Sequence, residues 1–262
     1  MRVLDKKFLF LALLSIGLTA VSTAQFSPAV PLAGKEVTYD FIHQNLHYPE
    51  QALKDGLNGE VVVAFHLDEK GLGSEYHIKT SFCEEANEQA VDLVRKILWL
   101  PAMQEMQAVA SEAEYSIEYK AKQYKRYWKN HERIDLPLVL EADSGYHIYE
   151  RYQLDEAAKP YFADGNDMAK YILTNLVYPE SAKVAEISGT VRLSFVVETD
   201  GAISNILIEN TVGGGCDNEA IRLLQETRWI PAVKNKQYVR SRNEQDITFN
   251  FGARNYQDGN SY

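Results

Sequence analysis

Residues 178–201 read YPESAKVAEISGTVRLSFVVETDG, and residues 48–71 read YPEQALKDGLNGEVVVAFHLDEKG. Both stretches begin with Tyr-Pro-Glu, and their matching glycines, valines and phenylalanines lie 130 positions apart. The same interval relates Trp99 to Trp229 and Pro101 to Pro231. A register kept without a gap predicts two tandem copies of one domain, each with its own core. The interval is too long for the repeats of a solenoid.

The hydrophobic pattern predicts the same order of elements in both copies. Apolar residues that alternate along the chain indicate strands with one buried face, and an apolar stripe at helical spacing indicates an amphipathic helix. In copy two the expected elements are a helix over Met168–Leu176, strands near Val191–Val197 and Ser204–Asn210, a helix bearing Ala220, Leu223 and Leu224 with Asp217 as its N-cap, and a last strand near Asp246–Phe251.

This order predicts an α+β fold with two repeated small domains. Each domain is expected to be an antiparallel sheet of about three strands with helices on one face, because that arrangement buries each apolar stripe. One edge strand must then keep unpaired backbone groups. We place the domains at residues 38–120 and 166–252, with a tail at 253–262.

The segment between the domains, residues 121–165, is not rich in glycine or serine, so a flexible tether is not expected. Leu136–Leu140 and Tyr146–Tyr152 flank Asp143-Ser144-Gly145, which is a turn-forming sequence. This pattern predicts a further hairpin in the linker.

The N-terminus predicts export. Basic residues precede an apolar run from Phe8 to Ala20, and Ser22 and Ala24 match a signal-peptidase site before Gln25. The run is shorter than the roughly 20 residues of a spanning helix. We therefore expect a signal peptide at residues 1–24 and a periplasmic protein. The alternative is an uncleaved leader that anchors the chain to the inner membrane.

The protein is acidic, and its charge is distributed unevenly between the two copies. The formal net charge is −10, and residues 35–120 carry 7 basic and 16 acidic residues, whereas residues 168–252 carry 9 and 10. The copies therefore share a pattern but not a surface. An acidic exported protein is a poor candidate for binding nucleic acid, so no nucleic-acid partner is expected.

The sequence contains no recognisable catalytic, cofactor or metal-binding motif. His43 and His47 have a spacing that can bind zinc. Their counterparts in copy two, Leu173 and Val177, are apolar, which favours packing positions. We predict no catalytic residue, no cofactor and no metal site, and a protein that is not an enzyme.

Three other features each allow two interpretations. Gly213-Gly214-Gly215 could hold an anion, but a loop with positive φ is favoured. The aromatic residues between Tyr124 and Trp128 alternate with basic ones, which suits an anionic surface or, as we favour, a packed element with solvated charges. Cys83 and Cys216 could form a bridge in an oxidising compartment, or be two small buried residues.

Copy two resembles the TonB C-terminal domain over residues 166–252. The resemblance rests on the Tyr-Pro pair, the glycine before an alternating strand, the Asp-Gly turn, the amphipathic helix and the Trp-x-Pro sequence. Copy one resembles the same domain more loosely over residues 38–120. TonB proteins are energy transducers of the Gram-negative envelope with a long Pro-rich spacer, and the segment from Gln25 to Thr38 is far shorter than such a spacer.

The resemblance implies a binding function. In this family a short N-terminal box of an outer-membrane receptor adds as a strand beside the last strand of the domain. A TonB-dependent receptor or another envelope protein is therefore the expected partner, and transmembrane transport the expected process. The matching partner-binding positions are Tyr178, Pro179, Tyr238, Val239, Arg240, Ser241, Arg242 and Ile247.

Two other classes of protein remain open from the sequence. One is an envelope adaptor in which the two copies pair through their sheet edges. The other is an enzyme whose site carries no known motif. An open strand edge in copy two would distinguish a binding protein from the self-paired adaptor. The sequence does not indicate the oligomeric state.

Overall fold

The computed structural model describes residues 26–131 and 134–254. The predicted signal peptide and most of the predicted tail lie outside these ranges. Within the described residues, no helix combines the length and the apolar character that a membrane crossing requires.

Copy one is built around a three-stranded antiparallel sheet. Its elements are β1 Phe26–Ser27, β2 Val30–Pro31, α1 Lys35–Asn45, α2 Glu50–Asp55, β3 Gly59–Leu67, β4 Gly73–Thr80, α3 Glu84–Lys96, β5 Trp99–Leu100, β6 Ala102–Gln104, β7 Gln107–Val109, β8 Ser111–Tyr119 and α4 Ala121–Asn130. β3 lies in the centre, between β4 and β8.

Copy two repeats this arrangement after a connecting segment. The segment contains β9 Ile148–Tyr149, a 3-10 turn at Arg151–Gln153 and β10 Lys159–Tyr161. The elements of copy two are α5 Met168–Asn175, α6 Glu180–Val184, β11 Gly189–Val197, β12 Ile203–Asn210, α7 Cys216–Gln225, β13 Arg228–Ile230, β14 Ala232–Lys234, β15 Gln237–Phe249 and α8 Phe251–Arg254. β11 is central, between β12 and β15.

The α+β fold and the repeat are confirmed at the level of strand register. The pairing of β3 with β4 is irregular after Val62 and after Ala64, and that of β11 with β12 is irregular after Arg192 and after Ser194. These positions differ by 130 in both cases. The pattern of backbone hydrogen bonds is therefore the same in the two copies, including its irregular positions.

Each copy has its own hydrophobic core between the sheet and its helices. Phe65 and Trp99 pack in the first core with ring centroids 5.1 Å apart, and Phe195 and Trp229 do so in the second, also at 5.1 Å. Val37 of copy one packs against the second core, so the two cores are distinct but in contact. The alternating pattern of the sequence identified these buried faces correctly.

A glycine after each central strand is required by a close backbone approach. Gly71 and Gly201 have φ values of 78° and 79°. A Cβ atom at Gly71 would lie 2.1 Å from the carbonyl oxygen of Trp99, and one at Gly201 would lie 2.2 Å from that of Trp229. In both copies the matched glycine thus allows the turn to pack closely against the backbone of the Trp-x-Pro segment.

The repeated unit begins earlier than the sequence predicted. β1 pairs with β6, and β2 pairs with β5, so copy one already begins at Phe26. The corresponding contacts of copy two are a bridge from Glu156 to Val233 and the pairing of β10 with β13. Residues before Thr38 therefore belong to the fold.

The hairpin expected in the linker does not form between the described segments. Residues 121–130 form α4, and Ile148–Tyr149 pairs with β15 in parallel instead of with Leu136–Leu140. The prediction was wrong because the hydrogen-bonding partner of this segment lies about 90 residues further along the chain.

The loop before α7 also corrects a prediction. Gly213, Gly214 and Gly215 all have positive φ, as the favoured interpretation required, and Gly215 is the N-cap of α7. Asp217 was expected to be that N-cap. Its carboxylate instead accepts hydrogen bonds from the backbone N–H groups of Val212 and Gly213, because the glycines fold the loop back over the first turn.

Candidate partner-binding edge

The last strand of copy two is paired on both sides over its first part. β14 pairs with Gln237, Tyr238 and Val239 on one side. On the other side the linker lies along the strand: the backbone N–H of Tyr238 donates to Glu141 at 2.8 Å, and Asp143 donates to the carbonyl of Tyr238 at 2.8 Å. The linker therefore acts as an added strand within the chain.

Ser241 marks the point where this edge becomes open. It pairs with Tyr149 of β9 and with Val197 of β11, so these two strands flank β15 on opposite sides. β11 continues alongside β15 to Phe249. Among the strands of residues 26–131 and 134–254, none pairs with the linker side of Arg242–Phe249. We call this stretch the open edge.

The backbone groups on the open edge follow from strand alternation. Both the N–H and the C=O of Tyr238 point to the linker side. Backbone groups alternate in direction along a strand, and the pairing of β15 with β11 has no register shift. The N–H and C=O groups of Glu244, Asp246 and Thr248 and the C=O of Arg242 therefore point to the open edge, whereas the N–H of Arg242 belongs to the parallel pairing with Tyr149.

An apolar groove lies beside the open edge. It has a volume of about 530 Å³ and lies between α5 and the end of β15. Ile172, Leu173 and Leu176 line its helical wall, and Gln245 and Thr248 line its strand wall. Leu173 is 70% exposed and Val177 is 63% exposed.

The groove was not predicted from the sequence, because Leu173, which lines it, was interpreted as a packing position together with Val177. That interpretation is wrong for copy two, since both side chains are exposed. The detectable signal was the apolar Leu173 on α5 at the position where copy one carries His43.

Tyr178 has a structural role, and its ring also lines the groove. The side chain is buried, its hydroxyl donates to the carbonyl of Ile187, and its ring lies 5.7 Å from that of Phe249. Tyr48 donates to Leu57 in the same way in copy one. Pro179 is the N-cap of α6.

Four other residues of the predicted site are buried. The side chains of Tyr238, Val239, Ser241 and Ile247 all lie inside the fold. Tyr238 and Ser241 pair with the linker. These residues position β15, and beside Ile247 the backbone groups that face the open edge belong to its neighbours Asp246 and Thr248.

Arg240 was expected to be a partner-binding position, but its side chain is buried and is not available to a partner. Its side chain is 3% exposed and forms an ion pair with Glu198, which is 0% exposed, at 2.7 Å. The guanidinium also donates to the carbonyl of Tyr146 at 2.8 Å and to that of Lys96 at 2.9 Å. Arg240 therefore links copy two, the linker and the C-terminal end of α3.

Other polar side chains complete this contact between the copies. Asn205 donates to the carbonyl of Lys96 at 2.9 Å and accepts from the backbone N–H of Leu98 at 2.8 Å. Lys96 forms an ion pair with Asp200 at 3.3 Å. Burial lowers the pKa of Lys96, but the surrounding carboxylates outweigh burial and raise it. Lys96 is therefore cationic at neutral pH.

Two arginines near the open edge are already paired with carboxylates. Arg242 is half-exposed and forms an ion pair with Glu150 at 3.1 Å. Arg192 forms a pair with Asp246 at 2.8 Å and lowers the pKa of that carboxyl by hydrogen bonding. The edge therefore presents backbone groups and an apolar groove, and neither of these two arginines is a free cation.

Copy one has a different chemistry at the corresponding place. A groove of about 430 Å³ lies between α1 and α4, and the stacked pairs Tyr39–His43 and Tyr127–His131 line it. His43 and His131 each use Nδ1 in a hydrogen bond to a backbone carbonyl four residues earlier.

The described residues contain neither a metal-binding cluster nor a disulfide. In the part of the chain that the structure describes, no three His, Cys, Asp or Glu side chains converge in a way that could hold a metal ion. Cys83 and Cys216 are both free thiols. Cys216 is buried in the second core, as the packing interpretation expected.

The comparison with protein families agrees with this architecture. The model described as Gram-negative bacterial TonB protein C-terminal matches residues 44–121 and 174–251, two segments whose ends are 130 residues apart. The matches cover more than half of the chain, so the protein belongs to this family, with the domain in tandem. It is an envelope protein with a TonB-like role in protein interaction. The comparison with curated proteins found no significant match.

Proposed function

We propose that copy two binds an extended segment of another envelope protein by adding it as a strand to the open edge. A TonB-dependent outer-membrane receptor is the partner that the family favours. The observation that carries the proposal is the row of outward-pointing backbone groups from Arg242 to Thr248 beside an apolar groove. In strand addition, backbone hydrogen bonds supply affinity and side-chain pockets supply specificity.

The geometry defines the partner segment. The open edge runs from Arg242 to Phe249, so it accepts about eight residues. Side chains on one face of the added strand would pack on Leu173 and its neighbours, so alternate residues of the partner are apolar. The protein acts without catalysis, in the periplasm, as a component of transport across the outer membrane.

The adaptor alternative has less support. Copies that closed each other's edges would share a sheet, but in residues 26–131 and 134–254 no strand of copy one pairs with a strand of copy two. The contact between the copies instead uses polar side chains and the end of α3.

Replacing Leu173 by aspartate should weaken peptide binding by at least tenfold. An apolar side chain buried by the partner contributes about 1.5–3 kcal/mol, which is roughly a 10- to 100-fold change in affinity. The probe is a synthetic peptide with the sequence of a receptor N-terminal box. Calorimetric titration of the chain from Gln25, which contains every described residue, measures its dissociation constant.

Val184→Asp is the matched control. Val184 is 79% exposed but lies in α6, outside the groove. This variant also replaces an exposed apolar side chain by a carboxylate, so its peptide affinity should equal that of the unmodified protein. Equal peptide affinity of the Leu173 and Val184 variants would show that the groove does not contribute to binding.

Replacing Glu244 by proline should weaken binding about three- to tenfold while the fold is kept. The N–H of Glu244 points to the open edge, and proline is tolerated on an edge strand where its missing donor faces solvent. Loss of one backbone hydrogen bond to the partner costs about 0.5–1.5 kcal/mol. Glu244→Ala, which keeps the N–H, should bind normally. If the alanine variant loses as much affinity as the proline variant, the side chain and not the backbone makes the contact.

A further inference from the structure

The surface of α4 carries a row of positive charges. Its cationic residues are Lys122, Lys125, Arg126 and Lys129, which we call the cationic stripe. They are spaced by three and four residues, so they lie on one face of the helix. All four are exposed. The helix contains no acidic residue, although the protein as a whole has a net charge of −10.

This arrangement opposes the electrostatic preferences of an isolated helix. Like charges three or four residues apart destabilise a helix by roughly 0.2–0.5 kcal/mol for each pair. The first turn of α4 contains Lys122 and no acidic side chain, which is unfavourable at the positive end of the helix dipole. Violations of this kind are expected where a surface serves a function.

The stripe is also without counter-ions in the described part of the chain. Two other exposed lysines of copy one do have carboxylate partners: Lys79 pairs with Glu114 at 2.5 Å, and Lys120 pairs with Glu118 at 2.5 Å. No ion pair within residues 26–131 and 134–254 involves any member of the stripe. Its positive field is therefore not neutralised by the described carboxylates.

The opposite face of α4 is held against copy one. Tyr124 packs on Tyr48 with centroids 5.2 Å apart, and Tyr127 and Trp128 are half-buried. The aromatic side chains therefore fix the orientation of the helix and cannot insert into a second surface. Only the cationic stripe and its polar neighbours, such as Gln123 and Asn130, face outward.

We propose that the cationic stripe docks the protein on an anionic lipid membrane through the phosphate groups of the lipids. A protein partner would be expected to meet an apolar or aromatic centre. The exposed residues of α4 are all charged or polar, and its aromatic residues are half-buried beside the grooves that flank the helix. A lipid surface needs only positive charge, and each lysine or arginine near such a surface contributes about 1 kcal/mol. The site lies in copy one, so it is independent of strand addition in copy two.

Sedimentation with lipid vesicles tests the proposal. The chain from Gln25 is mixed with vesicles of phosphatidylglycerol and phosphatidylcholine, or of phosphatidylcholine alone. It should bind only the anionic vesicles and be released as salt rises from about 50 mM to 500 mM. Replacing all four residues of the stripe by glutamine should lower the partition coefficient about fivefold for each residue.

A second quadruple variant separates the stripe from net charge. It replaces four exposed lysines elsewhere in copy one by glutamine: Lys35, Lys54, Lys70 and Lys79. Both variants have the same net charge, so only the stripe variant should lose most of its binding. Equal losses in the two variants, or no binding of the unmodified chain to anionic vesicles, would overturn the proposal. Binding of the unmodified chain to poly-glutamate but not to vesicles would overturn it as well. The salt titration uses the unmodified chain and does not depend on the folding of any variant.

Discussion

Replacing Arg240 by methionine should lower the free energy of unfolding by about 3–5 kcal/mol. The substitution keeps the length of the side chain but leaves the carboxylate of Glu198, which is fully buried, without its cation. It also removes hydrogen bonds to the carbonyls of Tyr146 and Lys96. Urea unfolding of the chain from Gln25, followed by circular dichroism, measures the change.

Arg242→Met provides the control for this prediction. Arg242 belongs to the same strand and forms an ion pair with Glu150, but that pair is half-exposed, so its loss should cost less than about 1 kcal/mol. In addition, Arg240→Met combined with Glu198→Leu should recover most of the stability, because no buried charge then remains unpaired. Similar costs for the two single arginine variants would show that burial of the Glu198–Arg240 pair does not matter.

Gly201→Ala should destabilise copy two by about 2–5 kcal/mol. A Cβ atom at this position would lie 2.2 Å from the carbonyl oxygen of Trp229, a backbone atom that cannot move alone. Overpacking costs about 1–3 kcal/mol, and a left-handed conformation costs an L-residue a further 1–2 kcal/mol. Thermal unfolding, with the fluorescence of tryptophan as the signal, measures the effect.

Gly213→Ala isolates the conformational part of that cost. Gly213 has nearly the same φ, 78°, but no atom lies within 4 Å of an added Cβ. Its replacement should therefore cost only about 1–2 kcal/mol. If both alanine variants lose the same stability, the close approach of Trp229 makes no contribution.

Patterns that depend on neighbouring residues predicted most of the fold. Alternation from Val191 to Val197 identified a central strand because one face of that strand lies in the core. The Asp-Gly turn and the paired tryptophans were recognised for the same reason, since each acts within its own copy. The family resemblance was confirmed over both copies.

Contacts between distant segments were not predictable in this way. The pattern around Ile148 indicated a strand, but nothing nearby in the sequence showed that its partner is Arg240. The burial of Arg240 depends on Glu198 and on the end of α3 in the other copy, which no local pattern contains. The peptide-binding role of the open edge stays a prediction.

If the predicted leader is retained as an anchor, the early start of β1 limits how far from the inner membrane the protein can act. Only residues 21–25 separate the apolar run that ends at Ala20 from the first paired residue, Phe26. Five residues extend over at most about 18 Å. With an uncleaved leader, the folded part begins within about 2 nm of the inner membrane, so a receptor segment would have to cross the periplasm to meet it. With a cleaved leader, diffusion of the whole protein replaces the long spacer by which other TonB proteins cover that distance.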